Sequence, residues 1–342
     1  MSSMKKSTLY LALAVLAVCG CAKDPVSGLY ESAKLFVDSW IHVYHPDAPR
    51  TELGAYVLSD MPGTGSQAGT AETSPFVRVD YVITDLEGSV NSTSLESLKK
   101  QLGEYKFGDY YGPVIWSRAN NGLAVGLDEA VSSMRVGGTR TLAMPGWLQT
   151  STRRASEKDY LANDSGKPMI YSIMLRETIS DIKKWETDSI GRYISARFPG
   201  KGVRDSLKYG YYYFRTEDPT EEKPFSSDTT IYINYTGRLL NGTVFDTNIR
   251  DTAKFYGIYS DSRTYAPSSV TITRGDNNVA NVQMGSNSVI TGFGDAIAQM
   301  HPYEKGVTVF YSTLGYGTSG SGSTIPGYSP LRFDIEIVDK EQ

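Results

Sequence analysis

Cysteine is almost absent from the chain. Its 342 residues hold two, Cys19 and Cys21, both close to the N-terminus. The rest of the chain therefore offers neither an intramolecular disulfide nor a thiol nucleophile. Histidine is nearly as scarce, limited to His42, His45 and His301. A metal site takes three or four converging ligands, and no such cluster is spaced along the sequence, so no metal is expected. No credible Ser-His-Asp set and no Gly-x-x-x-x-Gly-Lys phosphate loop occurs. A basic excess is missing too: Lys+Arg 34 against Asp+Glu 38 give a net charge of −4, which argues against a nucleic-acid partner. Beyond the first 21 residues no segment approaches the ~20 apolar residues of a membrane helix. What is plentiful is tyrosine, at 24, and glycine, at 33, a balance that leans towards antiparallel β structure with many turns. The length predicts two domains of ~100–200 residues. Charged residues at 21% and hydrophobic ones at 40% exclude wholesale disorder.

Residues 1–20 read as a signal peptide: Lys5 and Lys6 precede a ten-residue apolar run from Leu9 to Val18. Val18-Cys19-Gly20-Cys21 resembles a bacterial lipobox, and that resemblance implies cleavage before Cys21 and lipid attachment to it. Met4 is an alternative start. The competing reading is an ordinary secretory signal with incidental cysteines; the placement of the lipobox directly after the apolar run favours the lipoprotein. The mature chain would have 322 residues and, without Lys5 and Lys6, a net charge of −6. The expected location is the bacterial cell envelope, on the outer membrane at its periplasmic face or the cell surface. The lipid anchor would be the only membrane attachment.

A repeat is visible in the mature chain. Gly54 leads to Tyr81 after 27 residues and Gly210 to Tyr235 after 25. The stretch from Gly126 to Met134 parallels that from Gly292 to Met300, with Gly, an apolar residue, an acid, Ala, an aliphatic residue and Met at the same offsets. Both copies end in alternating strands, Ile170–Leu175 and Leu331–Ile337. Between them, Ile179, Ile182, Trp185, Ile190, Tyr193, Ile194 and Phe198 follow a helical face that Pro199-Gly200 ends. The predicted organisation is an anchor segment with a possible helix at 21–50, a first domain at 51–178, a connector helix at 179–200 and a second domain at 201–342. A helix is expected at Tyr30–Tyr44 and a loop over Pro62–Ser74.

In the second repeat the residues become specific. Tyr235-Thr-Gly, the Asn241-Gly242 hairpin and Phe245-Asp246 come first. They are followed in register by Val289-Ile290-Thr-Gly-Phe293, Gly315-Tyr316-Gly317, Ile325-Pro326 and the strand containing Phe333. Individually weak, in this order they resemble the FKBP-type peptidyl-prolyl cis–trans isomerases over roughly residues 209–341. The resemblance implies an α+β fold with two tandem FKBP-like domains. Each would be a twisted antiparallel sheet wrapped around a short helix. It also implies a cofactor-free activity on X–Pro bonds. Such bonds prefer trans by only ~0.5–1 kcal/mol but rotate over a barrier of ~18–20 kcal/mol. No bond is broken, so what is needed is a site that binds the twisted amide better than either planar form.

By the same resemblance, Phe293 would be the floor beneath the proline ring, and Tyr235, Phe245, Val289, Ile290 and Phe333 its walls. Tyr316 OH and the backbone N–H of Ile325 would meet the substrate carbonyls. Asp246 would orient the site through Tyr235 and polarise the twisted amide. The bland alternative is that these aromatics are only core; their ordered register favours the site. Several features depart from the family. Phe293 stands for the commoner Trp, Ala280 and Val282 stand where an aromatic is usual, and His301-Pro-Tyr-Glu304 replaces a shorter turn. Asp246 and Val289 are 43 positions apart, which leaves an inserted segment near 248–281. It would be a substrate-selecting flap, a plain surface hairpin, or a cover over the site.

In the first repeat Tyr81 is kept. Asn91 and Ser92 stand where Phe245 and Asp246 would be, Ala124 and Leu127 where Ile290 and Phe293 would be, and Thr150 at the place of Tyr316. A degenerate, non-catalytic domain is expected there. The expected clients are proline-containing polypeptides, specifically exported proteins. The alternatives are a non-catalytic chaperone or peptide-binding lipoprotein, and a structural subunit of a surface assembly. The oligomeric state stays open.

Overall fold

The structure, a computed structural model, describes residues 25–163, 166–200, 208–225, 228–274 and 280–340. The predicted signal peptide and Cys21 lie outside them. In chain order the elements up to residue 179 are α1 (Pro25–Tyr44), β1 (Tyr56–Met61), β2 (Phe76–Thr84), β3 (Val90–Thr93), α2 (Glu96–Gln101), β4 (Val114–Ser117), α3 (Val125–Ser132), β5 (Thr139–Met144), α4 (Glu157–Leu161) and β6 (Met169–Ile179). Then follow α5 (Ile182–Arg197), β7 (Tyr211–Glu217), β8 (Thr229–Leu239), β9 (Val244–Thr247), α6 (Arg250–Phe255), β10 (Ser268–Arg274), β11 (Ala280–Met284), β12 (Asn287–Ser288), α7 (Thr291–Gln299), β13 (Lys305–Phe310) and β14 (Leu331–Val338).

The chain divides into two units. Among the described residues, those within 25–69, 83–91 and 120–173 make the first, and those within 70–82, 92–119 and 174–340 the second. In the first, α1 covers Pro25–Tyr44. Among its described side chains Val37 and Ile41 are buried, and Tyr56 OH donates to Asp38 Oδ1 at 2.6 Å. β1 and β5 pair antiparallel, and α3 buries Val125, Leu127, Ala130 and Val131. Among the described residues no helix is long and apolar enough to cross a membrane.

The second unit holds an eight-stranded antiparallel sheet in the order β12-β11-β10-β8-β14-β13-β7, with β9 on β8. Alternation decides its faces: on β14, Leu331, Phe333, Ile335 and Ile337 are buried and the residues between them half-buried. Helix α7 lies against β11 and β13, with Phe293, Ala296 and Ile297 in the core. Helix α5 is capped by Asp181, whose side chain accepts from Lys184 N–H at 3.0 Å. Ile190 and Ile194 join the same core, as its periodicity predicted. Glu186 is also buried on that face, where it accepts the Ser312 N–H at 2.6 Å and the Ser312 hydroxyl at 2.8 Å. The inserted segment is not one hairpin: it begins as α6, and from Ser268 it becomes β10, an internal strand between β8 and β11.

Candidate functional site

The register across β14, β8 and β9 builds the site. Phe333 pairs with Gly237, and Gly237 pairs with Asp246, so three strands place an aromatic, a glycine and an acid in one row. Gly237 leaves room for rings: a Cβ there would lie 2.6 Å from Phe245 and 2.9 Å from Phe333. Phe293 on α7 meets Phe333 at 4.6 Å between ring centroids and Tyr235 at 5.5 Å, and Phe245 meets Phe333 at 5.6 Å. Such tilted and edge-on pairs are the preferred aromatic geometry. Tyr235, Phe293 and Phe333 are buried, while Phe245, Val289 and Ile290 are half-buried around them. The sequence-predicted aromatics thus come together as one cluster.

At its edge lies a charged network. Tyr235 OH donates to Asp246 Oδ2 at 2.7 Å. Arg263, from the inserted segment, donates to Asp246 Oδ1 through Nη1 and to Tyr235 OH through Nη2 at 3.2 Å. Burial, joined by the Asp246 charge, pushes the Tyr235 phenol above its ordinary value of 10, so it remains a donor. Asn248 pins the start of the insertion. It is buried, accepts the Tyr235 N–H at 2.8 Å, and donates to Ile233 O at 2.8 Å and Ala266 O at 3.1 Å. Neither Arg263 nor Asn248 was picked out from the sequence. Arg263 is 17 residues beyond Asp246 inside an irregular stretch, and no periodicity marks it.

The donors differ from expectation at one point. The Ile325 N–H, assigned by resemblance to a substrate carbonyl, donates to Ser321 O at 3.1 Å, while Ser321 N–H donates back to Ile325 O at 2.7 Å. That small bridge uses the group. Ile290, the N-cap of α7, instead has an N–H with no acceptor among the described residues, as expected of a group that precedes the first helical turn. Tyr316 is 38% exposed, and its hydroxyl is likewise without a partner among the described residues. Burial, and after it the Asp246 charge, raises its phenol above 10.

In the first repeat Tyr81 OH faces Ser92 Oγ at 3.3 Å, a neutral pair where the second repeat has Tyr235 and Asp246. Trp116 lies 5.8 Å from the Tyr81 ring. Leu127 is buried on α3.

Residues 221–338 match the family model of FKBP-type peptidyl-prolyl cis-trans isomerases. The macrophage infectivity potentiator of Trypanosoma cruzi is 32% identical over 111 residues, 32% of this chain and 43% of that protein. The chain thus spans less than half of that relative. FK506-binding protein 2 of Dictyostelium discoideum is 29% identical over 139 residues, 41% of this chain and 84% of that protein. A solved structure of the three FKBP domains of wheat FKBP73 aligns over 83% of this chain and 94% of that one, at 14% identity and a TM-score of 0.27.

Proposed function

We propose that this chain, which carries an FKBP-type peptidyl-prolyl cis–trans isomerase domain at residues 221–338, turns X–Pro bonds over the aromatic cluster of Tyr235, Phe245, Phe293 and Phe333. The observation that carries this reading is the joint presence of a ring cluster and two donors, Ile290 N–H and Tyr316 OH, that have no acceptor among the described residues. The proline ring lies on Phe293, with Val289, Ile290 and Phe333 beside it. A dry aromatic wall favours the twisted amide, whose charge separation is smaller than that of either planar isomer. The two donors hold the flanking carbonyls while the bond rotates. Asp246 accepts from Tyr235 OH and from Arg263 and so orients the wall of the site through Tyr235. Nothing in the cycle needs a nucleophile, metal or cofactor.

The first repeat, with Ser92 in place of an acid, binds or spaces without turnover. Residues 1–20 direct export, Cys21 carries lipid, and the clients are exported proteins at the bacterial envelope. A second reading is a chaperone or peptide-binding protein without turnover. The near-complete cover of Phe293, 4% exposed, favours it, because a proline must displace a neighbour to reach that ring. A protease-coupled assay on the chain from Ala22 decides between them. Isomerisation above background that Asp246→Ala and Phe293→Ala both depress supports the enzyme. A folded chain that binds proline peptides but leaves the rate at background establishes the second reading.

A further inference from the structure

Two loops flank the aromatic cluster. One, Thr318–Thr324, is made of Gly, Ser and Thr and joins Tyr316 to Ile325. The other runs from the end of α6 to Arg263. Gly/Ser chains have little conformational preference of their own, so a substrate that needs such a loop in one place must bear its ordering entropy. Residues 92–119 belong to the same unit as residues 174–342, and the stretch 105–112 touches both loops. Tyr110 N–H donates to Ser323 O at 2.9 Å, and Ser323 Oγ donates to Asp109 Oδ1 at 2.7 Å. On the other loop, the Phe107 ring lies over Gly257: a Cβ at Gly257 would come within 2.6 Å of it. Gly108 sits beside Ile258.

The stretch also makes contacts within itself. Tyr105 stacks on Tyr111 at 5.1 Å and meets Phe107 edge-on at 5.2 Å, and Lys106 N–H donates to Tyr111 OH at 2.9 Å. An aromatic arm from the sequence of the first repeat therefore touches both loops beside the second repeat's site.

We propose that residues 105–112 are a brace that pre-orders the two loops for proline-containing chains, with Asp109 as the positioning residue for the Thr318–Thr324 loop. This rests on the isomerase reading above. Bracing removes part of the ordering cost from binding and leaves the rotation step untouched, so its loss appears in KM rather than kcat. The first repeat then contributes to the reaction without a catalytic group of its own.

The test is steady-state kinetics on a proline tetrapeptide, with amide hydrogen exchange on residues 318–324, in the chain from Ala22. Asp109→Ala is expected to raise KM about three- to tenfold and leave kcat within about twofold, the scale of one hydrogen bond. Exchange in the loop should rise with it. Asp109→Asn keeps an acceptor for Ser323 Oγ and should restore both readouts. Ser323→Ala should match Asp109→Ala, and the double variant should add nothing further. Unchanged KM and unchanged loop exchange in Asp109→Ala overturn the brace, as does a loss confined to kcat. If the unaltered chain shows no isomerisation, the isomerase reading falls and the brace with it; an active chain with a silent Asp109→Ala overturns the brace alone.

Discussion

The Tyr235 hydroxyl joins an acid, a cation and the aromatic cluster in one group. Its phenol and that of Tyr316 are both raised by burial, each with Asp246 adding to the shift. The sign is simple: a phenol raised in the folded protein favours the neutral form, so its contribution is complete below about pH 10 and is lost as pH climbs through the folded value. Isomerase activity should therefore show no fall with a phenol-like titration between neutral pH and about pH 10, measured as a pH–rate profile. Tyr235→Phe removes the donor but leaves Arg263 on Asp246, so the stability loss should be about 1 kcal/mol in a denaturant titration. The aromatic positions could be read from the sequence because each sits in a short motif tied to a strand or a helix start. The Arg263 contact could not, because a loop of unpredictable path returns it to Asp246. The Ile325 assignment failed for a similar reason: a local bridge to Ser321 within the Gly/Ser loop uses its N–H.

Among the elements, α5 shows what periodicity can and cannot supply. Its apolar spacing located Ile190 and Ile194 in the core, and Ile190→Ala should cost about 2–5 kcal/mol by thermal or urea unfolding. A charged residue on the buried face has no such signature, and Glu186 was missed. Burial raises the Glu186 carboxyl above its ordinary 4.5 against the opposing pull of the Ser312 bonds. Folding thus favours the protonated form: the stability contribution is present below 4.5 and is lost as pH rises through the raised value. Glu186→Gln retains an oxygen for the Ser312 N–H but does not ionise. Relative to that variant, the unaltered chain should lose stability between about pH 4 and about pH 7, read from urea midpoints at the two values. A pH-independent difference would mean the carboxyl keeps its ordinary affinity for protons. Helices α2, α4 and α6 were not expected, since five or six residues are too few to show a helical period. Strand β10 was hidden because the insertion's turn-rich first half obscured the alternation of Val270 and Ile272.

For the molecule as a whole, the two stretches that read as repeats in the sequence carry different side chains at matching offsets. Tyr81 faces the hydroxyl of Ser92 where Tyr235 faces the carboxyl of Asp246. Restoring the acid alone, by Ser92→Asp, should give no turnover, because Leu127 stands where the second unit has the Phe293 ring. A Phe293→Ala chain carrying Ser92→Asp should remain as slow as Phe293→Ala by itself in the coupled assay. The lipoprotein reading has its own check. Cys21→Ser in the full-length chain, expressed in a bacterial host, should move the protein from the detergent phase to the aqueous phase on cloud-point partition. Persistence in the detergent phase would remove Cys21 as the anchor. The central claim is that the second unit turns X–Pro bonds on Phe293, and two-dimensional NMR exchange on an X–Pro peptide at equilibrium tests it most directly. Catalytic amounts of the chain from Ala22 should produce cis–trans exchange cross-peaks that Phe293→Ala abolishes. Cross-peaks that survive Phe293→Ala in a folded chain, or none with the unaltered chain, would contradict it.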